Sequence, residues 1–185
     1  MNSSSIIEYE KWDNIPNINP TILRGIYNCG FENPSPIQQK AISPIIENKN
    51  IIAQAQSGTG KTAAFTTGGL HLINTKLNIT QVLILLPTRE LAHQVHEVVL
   101  QLSKYLDNFK SYLLVGGTSV SDDIRYLSNN TPHLLVSCPG RLMDMVQKNM
   151  IRLNEIKCII IDEADEMLSF GFKTQILSIL KETGE

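Results

Sequence analysis

A chain of 185 residues, 42% of them hydrophobic, is long enough to bury a core and too apolar to remain disordered. No apolar run approaches the about 20 residues that span a bilayer, and Met1–Glu10 lacks the charged start and apolar stretch of a secretory signal. Cys29, Cys138 and Cys158 are scattered and read as reduced thiols, while the formal charge of −2 is not the basic surface that nucleic-acid proteins commonly show.

Residues 1–18 read as a leader, with Ser3–Ser5 and Pro16 breaking any regular pattern, and residues 19–185 as a single domain. Pro20–Asn28 carries apolar residues at Ile22, Leu23 and Ile26 and predicts a short helix ending near Gly30. Pro36–Glu47 predicts a second helix, bent or ended by Pro44. The chain then alternates. Strands are expected at Asn50–Gln54, Gln81–Leu86, Ser111–Val115, His133–Ser137 and Ile156–Ile161. Helices are expected at Lys61–Leu77, Arg89–Leu106, Ser119–Leu127 and Pro139–Lys148, then Glu163–Ser169 and Phe172 to about Lys181. Short apolar strands alternating with amphipathic helices imply an α/β fold, a mostly parallel sheet with helices on both faces. In such sheets ligands bind beyond the carboxyl ends of the strands.

Ala55-Gln56-Ser57-Gly58-Thr59-Gly60-Lys61-Thr62 lies between an expected strand and an expected helix. Gly58 and Gly60 permit the positive φ that turns successive N–H groups inward, and the helix start adds its positive dipole end. Lys61 is placed to reach the β- and γ-phosphates of a nucleoside triphosphate, and the Thr62 hydroxyl to ligand magnesium. Ala55 stands where the strict pattern has glycine and is tolerable with a negative φ.

Asp162-Glu163-Ala164-Asp165 follows the apolar run Cys158–Ile161. An aspartate there holds magnesium directly or through water, and the glutamate beside it shares the metal or orients the attacking water. The competing reading is that these acids cap the following helix. The phosphate loop on the same chain favours the catalytic one, with Lys61, Asp162 and Glu163 as the catalytic set and Thr62, Asp162 and Glu163 around the metal.

These strings together resemble the DEAD-box family of ATP-dependent RNA helicases, whose fold is a RecA-like P-loop domain. Gly30 to Gln38 resembles the family's adenine-reading Q motif, and Pro87-Thr88-Arg89, Gly116-Gly117 and Pro139-Gly140-Arg141 resemble its RNA-contacting motifs. The matches appear in the family's order and cover nearly the whole chain. The resemblance implies ATP and Mg2+ as cofactors, Phe31 stacking on the base, and Trp12 as an upstream aromatic where the family usually has phenylalanine. Core packing is the other reading of both rings. A side-chain amide such as Gln38 donates to and accepts from an adenine edge at once. Backbone N–H groups and guanidinium groups at strand ends suit phosphate oxygens, so sequence-independent RNA binding is implied. Arg89 and Glu90 also suit a structural ion pair. Cys138 stands where the family usually has threonine, which removes one hydroxyl donor to RNA.

The stretches Leu23–Tyr27 and Asp162–Ser169 are most similar to family members that act in translation initiation, with close relatives in splicing and mRNA surveillance. By resemblance, a second RecA-like domain outside these 185 residues supplies further RNA contacts and arginine fingers. Lacking such a finger lowers phosphoryl-transfer rates by about 10³–10⁵. This chain alone is therefore expected to bind nucleotide and hydrolyse it very slowly. A scaffold protein bridging the two domains, and a cytoplasmic or nuclear location, are further expectations. The same motifs serve an RNA helicase or an ATP-locked RNA clamp.

Overall fold

The computed structural model describes residues 9–183; residues 1–8 of the expected leader lie outside that range. The chain groups into two compact units. One runs through Leu72 and takes in Val98–Leu106; the other holds Ile73–Glu97 and the chain from Asp107 onward. Among the described residues, no helix is long and apolar enough to cross a membrane.

The second unit is built on β1 (Val82–Leu85), β2 (Ser111–Leu114), β3 (Leu134–Ser137) and β4 (Cys158–Ile161), in the order β2-β3-β1-β4. All pairings are parallel, as the buried apolar runs require. Leu85 lies opposite both Ser137 and Ile161, and Ser137 opposite Leu114, so the four carboxyl ends finish flush. Val82, Leu83, Ile84 and Leu85 are each 0% exposed, and their side chains alternate between faces, so neither face of β1 meets solvent. On one face Leu83, Leu85, Leu114 and Leu135 pack with Leu142 and Met145 of α6 (Pro139–Gln147), Met167 of α7 (Ala164–Ser169) and Ile176 and Ile179 of α8 (Lys173–Glu182). Ile124 and Leu127 of α5 (Val120–Asn129) rest against the same cluster.

The first unit holds α1 (Pro20–Asn28), α2 (Pro36–Ile46), α3 (Lys61–His71) and the end of α4 (Arg89–Leu102). Asn19 caps α1 by accepting from the Thr21 N–H at 2.9 Å, with Pro20 at the first helical position. α2 continues through Pro44 to Ile46. Gly68 lets α3 approach α2, since a Cβ there would meet Ile45 Cγ2 at 2.6 Å. Trp12 is completely buried in a 3-10 turn, its ring 6.5 Å from that of Phe31.

Gly25 of α1 permits the closest approach. A Cβ added there would lie 2.1 Å from the Leu102 carbonyl oxygen, a backbone atom that cannot swing aside. Gly25→Ala is therefore expected to destabilise the chain by about 2–3 kcal/mol despite its better helix propensity. A lowered midpoint in urea unfolding checks this.

The structure departs from the sequence reading at Asn50–Gln54, along β4 and at the end of α3. Asn50–Gln54 forms no strand, and Ile51 and Ile52 are 40% and 104% exposed. Its apolar run is only Ile51-Ile52-Ala53, too short to specify a strand without ladder partners, so the phosphate loop does not follow a strand here. β4, expected to be buried, is only partly buried along its whole length, because β1 is its one sheet neighbour. α3 stops at His71 and not at Leu77, where Asn74 folds its side chain onto the Lys76 N–H at 3.0 Å. Such a local bond competes with the helix.

Candidate functional site

The first unit contains the glycine loop and the segment before α2, and the two are stitched together. Gly58 and Gly60 have φ of +77° and +92°, and α3 begins directly after Gly60. Ala55 keeps a negative φ, as its side chain requires. The Ser35 hydroxyl donates to the Thr59 carbonyl at 2.8 Å, and Gln38 Nε2 donates to the Gly60 carbonyl at 3.3 Å. Thr59 Oγ1 donates to the Gln56 carbonyl at 2.7 Å. The loop's carbonyls are thus held by side chains. Among the described residues, the amides of Ser57, Gly58 and Gly60 donate to no protein acceptor. Unfilled amides and a helix start at Lys61 make an anion cradle, and a nucleotide polyphosphate fits it.

Gln38 stands differently from the sequence reading. It is 3% exposed, and its Oε1 accepts from the Ser35 N–H at 2.7 Å in a capping box that starts α2. Its amide therefore orders the loop, and these bonds leave one Nε2 hydrogen and one Oε1 lone pair for a base. Phe31 is 37% exposed and leaves a ring face accessible for stacking.

In the second unit, the flush carboxyl edge of the sheet carries the other four motifs. Pro87-Thr88-Arg89 follows β1, Gly116-Gly117 follows β2, Pro139-Gly140-Arg141 follows β3 and Asp162-Glu163 follows β4. Arg89 Nη1 donates to the Gly116 carbonyl at 3.4 Å, so this guanidinium lies across the turn after β2. Gly117 has φ +83°, and a Cβ there would meet Arg89 Nη1 at 2.0 Å. Gly117→Ala therefore both strains the backbone and displaces Arg89. It is expected to lower affinity for single-stranded RNA by about tenfold in a filter-binding assay while changing nucleotide affinity little. Thr88 Oγ1 accepts from the Leu91 N–H at 3.3 Å and caps α4. Pro87 and Pro139 are buried and shape their turns, while Gly140 is exposed.

Arg141 also departs from expectation. Its side chain is 8% exposed, with the guanidinium bonded inside the protein and not presented to solvent. It pairs with the Asp123 carboxylate, donates from Nη2 to the Thr118 carbonyl at 2.9 Å and from Nη1 to Thr118 Oγ1 at 3.3 Å. Tyr112 donates its hydroxyl to the other oxygen of Asp123 at 2.7 Å, and burial with this carboxylate holds its phenol well above the usual tyrosine range. Sequence reasoning passed over Asp123, Thr118 and Tyr112. An aspartate in the first turn of α5 looks like an ordinary dipole partner, and nothing local marks it as buried. Cys138 starts α6 without a side-chain capping bond, and burial raises its thiol to about 11, so it is inert at neutral pH.

After β4, the Asp162 N–H continues the ladder to the Leu85 carbonyl at 3.1 Å, and Asp162 Oδ1 accepts from the Glu163 N–H at 3.1 Å. Glu163 has φ and ψ of 49°, a left-handed conformation that costs a non-glycine residue about 1–2 kcal/mol. A glutamate kept in a strained turn at a strand end points to chemical use. Among the described residues, no group of three or more His, Cys, Asp or Glu side chains is arranged to hold a metal. A hard cation such as magnesium would take carboxylate oxygens of Asp162 and Glu163 at this strand end.

Comparison with known proteins identifies the family. A model of the DEAD/DEAH box helicase family matches residues 35–184. The chain is 48% identical over 165 residues to "ATP-dependent RNA helicase eIF4A" of Meyerozyma guilliermondii, covering 89% of this chain and 41% of that one. It is 46% identical over 186 residues to "Eukaryotic initiation factor 4A" of Drosophila melanogaster, covering 98% and 46%. Among solved structures, a DEAD box protein from Methanococcus jannaschii superposes with a TM-score of 0.87 at 37% identity, covering 95% of this chain and 47% of that one. Saccharomyces cerevisiae Dbp5 bound to RNA and ADP BeF3 superposes with a TM-score of 0.84 at 34% identity, covering 94% and 43%. The chain spans less than half the length of these curated relatives.

Proposed function

The chain belongs to the DEAD/DEAH box helicase family, and on that premise we propose that it is the N-terminal RecA-like part of an ATP-dependent RNA helicase acting in translation initiation. The observation that carries this reading is the flush edge of the sheet, where Arg89 follows β1, the Gly116–Gly117 amides follow β2, Arg141 after β3 braces that second turn, and Asp162 and Glu163 follow β4. Amides and guanidinium groups suit a phosphate backbone and ignore base identity. Asp162 and Glu163 would supply the carboxylates that hold magnesium and align the attacking water. The glycine loop with Lys61 and Thr62 holds the polyphosphate, and Phe31 and Gln38, in the same compact unit, take the adenine. Bound triphosphate with its magnesium supplies the leaving group and the charge neutralisation. The chain's own residues bind it, orient it and position water.

Similarity to the two initiation factors 4A supports the assignment to translation initiation. A second RecA-like domain, a bridging scaffold protein and a cytoplasmic location belong to the same reading. The 185-residue chain is expected to bind a fluorescent ATP analogue in preference to its GTP counterpart, and single-stranded RNA without sequence preference. It is expected to turn over ATP slowly, with or without RNA. Equal affinity for ATP and GTP, or RNA-stimulated turnover at full helicase rates by this chain, overturns the reading. Strand separation assayed on a whole protein containing this chain separates a helicase from an RNA clamp.

A further inference from the structure

Three strand ends meet around one turn, residues 115–119 between β2 and α5. Arg89 lies on one side of it, bonded to the Gly116 carbonyl, and Arg141 on the other, bonded to both the carbonyl and the hydroxyl of Thr118. Thr118 Oγ1 in turn donates to the Val115 carbonyl at 2.8 Å, which closes the turn on itself. Among the described residues, the amides of Gly116 and Gly117 donate to no protein acceptor, and a Cβ at Gly116 would meet nothing within 4 Å. The carbonyls of Val115, Gly116 and Thr118 are thus tied down, and two N–H groups are available.

Arg141 does not hold this position by itself. A guanidinium has five donors in a fixed fork, and its orientation depends on what the fork faces. Here it faces Asp123, whose own side chain is 5% exposed and whose second oxygen is filled by Tyr112. The Tyr112 ring stacks on Tyr126 at a centroid distance of 3.9 Å and 9° between planes, which fixes the hydroxyl. β2 and α5 thereby fix a carboxylate, and the carboxylate fixes an arginine of α6 against the turn.

We propose that Asp123 is a positioning residue for RNA binding: with Tyr112 it locks Arg141 onto Thr118, and so holds the Gly116–Gly117 amides in the geometry that receives a phosphate. This rests on the RNA-binding reading above. Asp123 and Tyr112 touch no RNA themselves. Their effect comes from pre-organisation, since a turn already rigid loses less entropy when it binds.

The test uses the 185-residue chain with two variants, Asp123→Asn and Tyr112→Phe, the second removing only one hydroxyl. NMR order parameters of the Gly116 and Gly117 amides, affinity for a single-stranded uridine oligonucleotide and affinity for a fluorescent ATP analogue are read in parallel. The order parameters are expected to fall in both. RNA affinity is expected to fall about tenfold for Asp123→Asn and severalfold for Tyr112→Phe, with ATP-analogue affinity unchanged. A merely structural role would move both affinities together. Wild-type order parameters in the turn, or wild-type RNA affinity, in folded variants overturns the proposal, and Tyr112→Phe decides alone if Asp123→Asn does not fold. A wild-type chain that binds no RNA overturns the functional reading instead, and the order parameters then decide whether Asp123 holds the turn.

Discussion

Replacing Lys61 by alanine lowers the chain's affinity for ATP by about a hundredfold, as charge-assisted contacts to phosphate are among the strongest a side chain makes. The structure says why this lysine matters more than its neighbours. The loop before it has its carbonyls tied by Ser35, Gln38 and Thr59, so the chain's polar contribution to a ligand is a set of amide dipoles. Dipoles at the start of α3 attract an anion, but a triphosphate carries more charge than they balance. Lys61 is the formal positive charge at that helix start. Titration of a fluorescent ATP analogue into wild type and Lys61→Ala reads the difference. A variant within about threefold of wild type removes the cradle from the proposed function. Gln38→Ala is expected to cost less, about tenfold, because Gln38 acts by holding the Gly60 carbonyl and capping α2.

The parts of this site legible in the sequence were those whose chemistry is local. Gly58 and Gly60 could be assigned positive φ because the turn demands it, and both have it. The four sheet strands were legible because Val82–Leu85, Leu134–Ser137 and their neighbours are apolar runs with turn residues after them, and turn residues at strand ends are where motifs sit. What remained illegible depends on burial by distant elements. Nothing in Val120–Asn129 distinguishes buried Asp123 from exposed Asp122, one residue away. Arg141 looked like a surface guanidinium for the same reason, since its partner lies 18 residues upstream. The failed strand at Asn50–Gln54 shows the opposite limit. Two isoleucines suggest a strand locally but do not specify one, since a strand exists only with a partner, and local sequence carries no information about partners.

Arg141→Met destabilises the chain by about 3–5 kcal/mol, the cost of leaving one member of a buried ion pair without the other. The pair is buried on both sides, at 8% and 5% side-chain exposure, so solvent cannot take over the role of either partner. Among the described residues, the stranded Asp123 side chain keeps only the Tyr112 hydroxyl as a donor. The pair itself is not what holds the unit together, because attraction between two buried charges is largely offset by the cost of desolvating them. Adding Asp123→Leu to Arg141→Met should therefore recover most of the lost stability, to within about 1 kcal/mol of wild type. RNA affinity should not recover with it. The double variant has neither the Arg141 donors on Thr118 nor the carboxylate that aims them, so the turn after β2 stays loose in a protein that is again stable. Urea unfolding and RNA binding measured across the four-membered cycle separate the two quantities. Recovery of both together would mean that the ion pair serves the fold alone, whereas recovery of stability alone leaves the buried charges with a function: they set the shape of the surface that RNA meets.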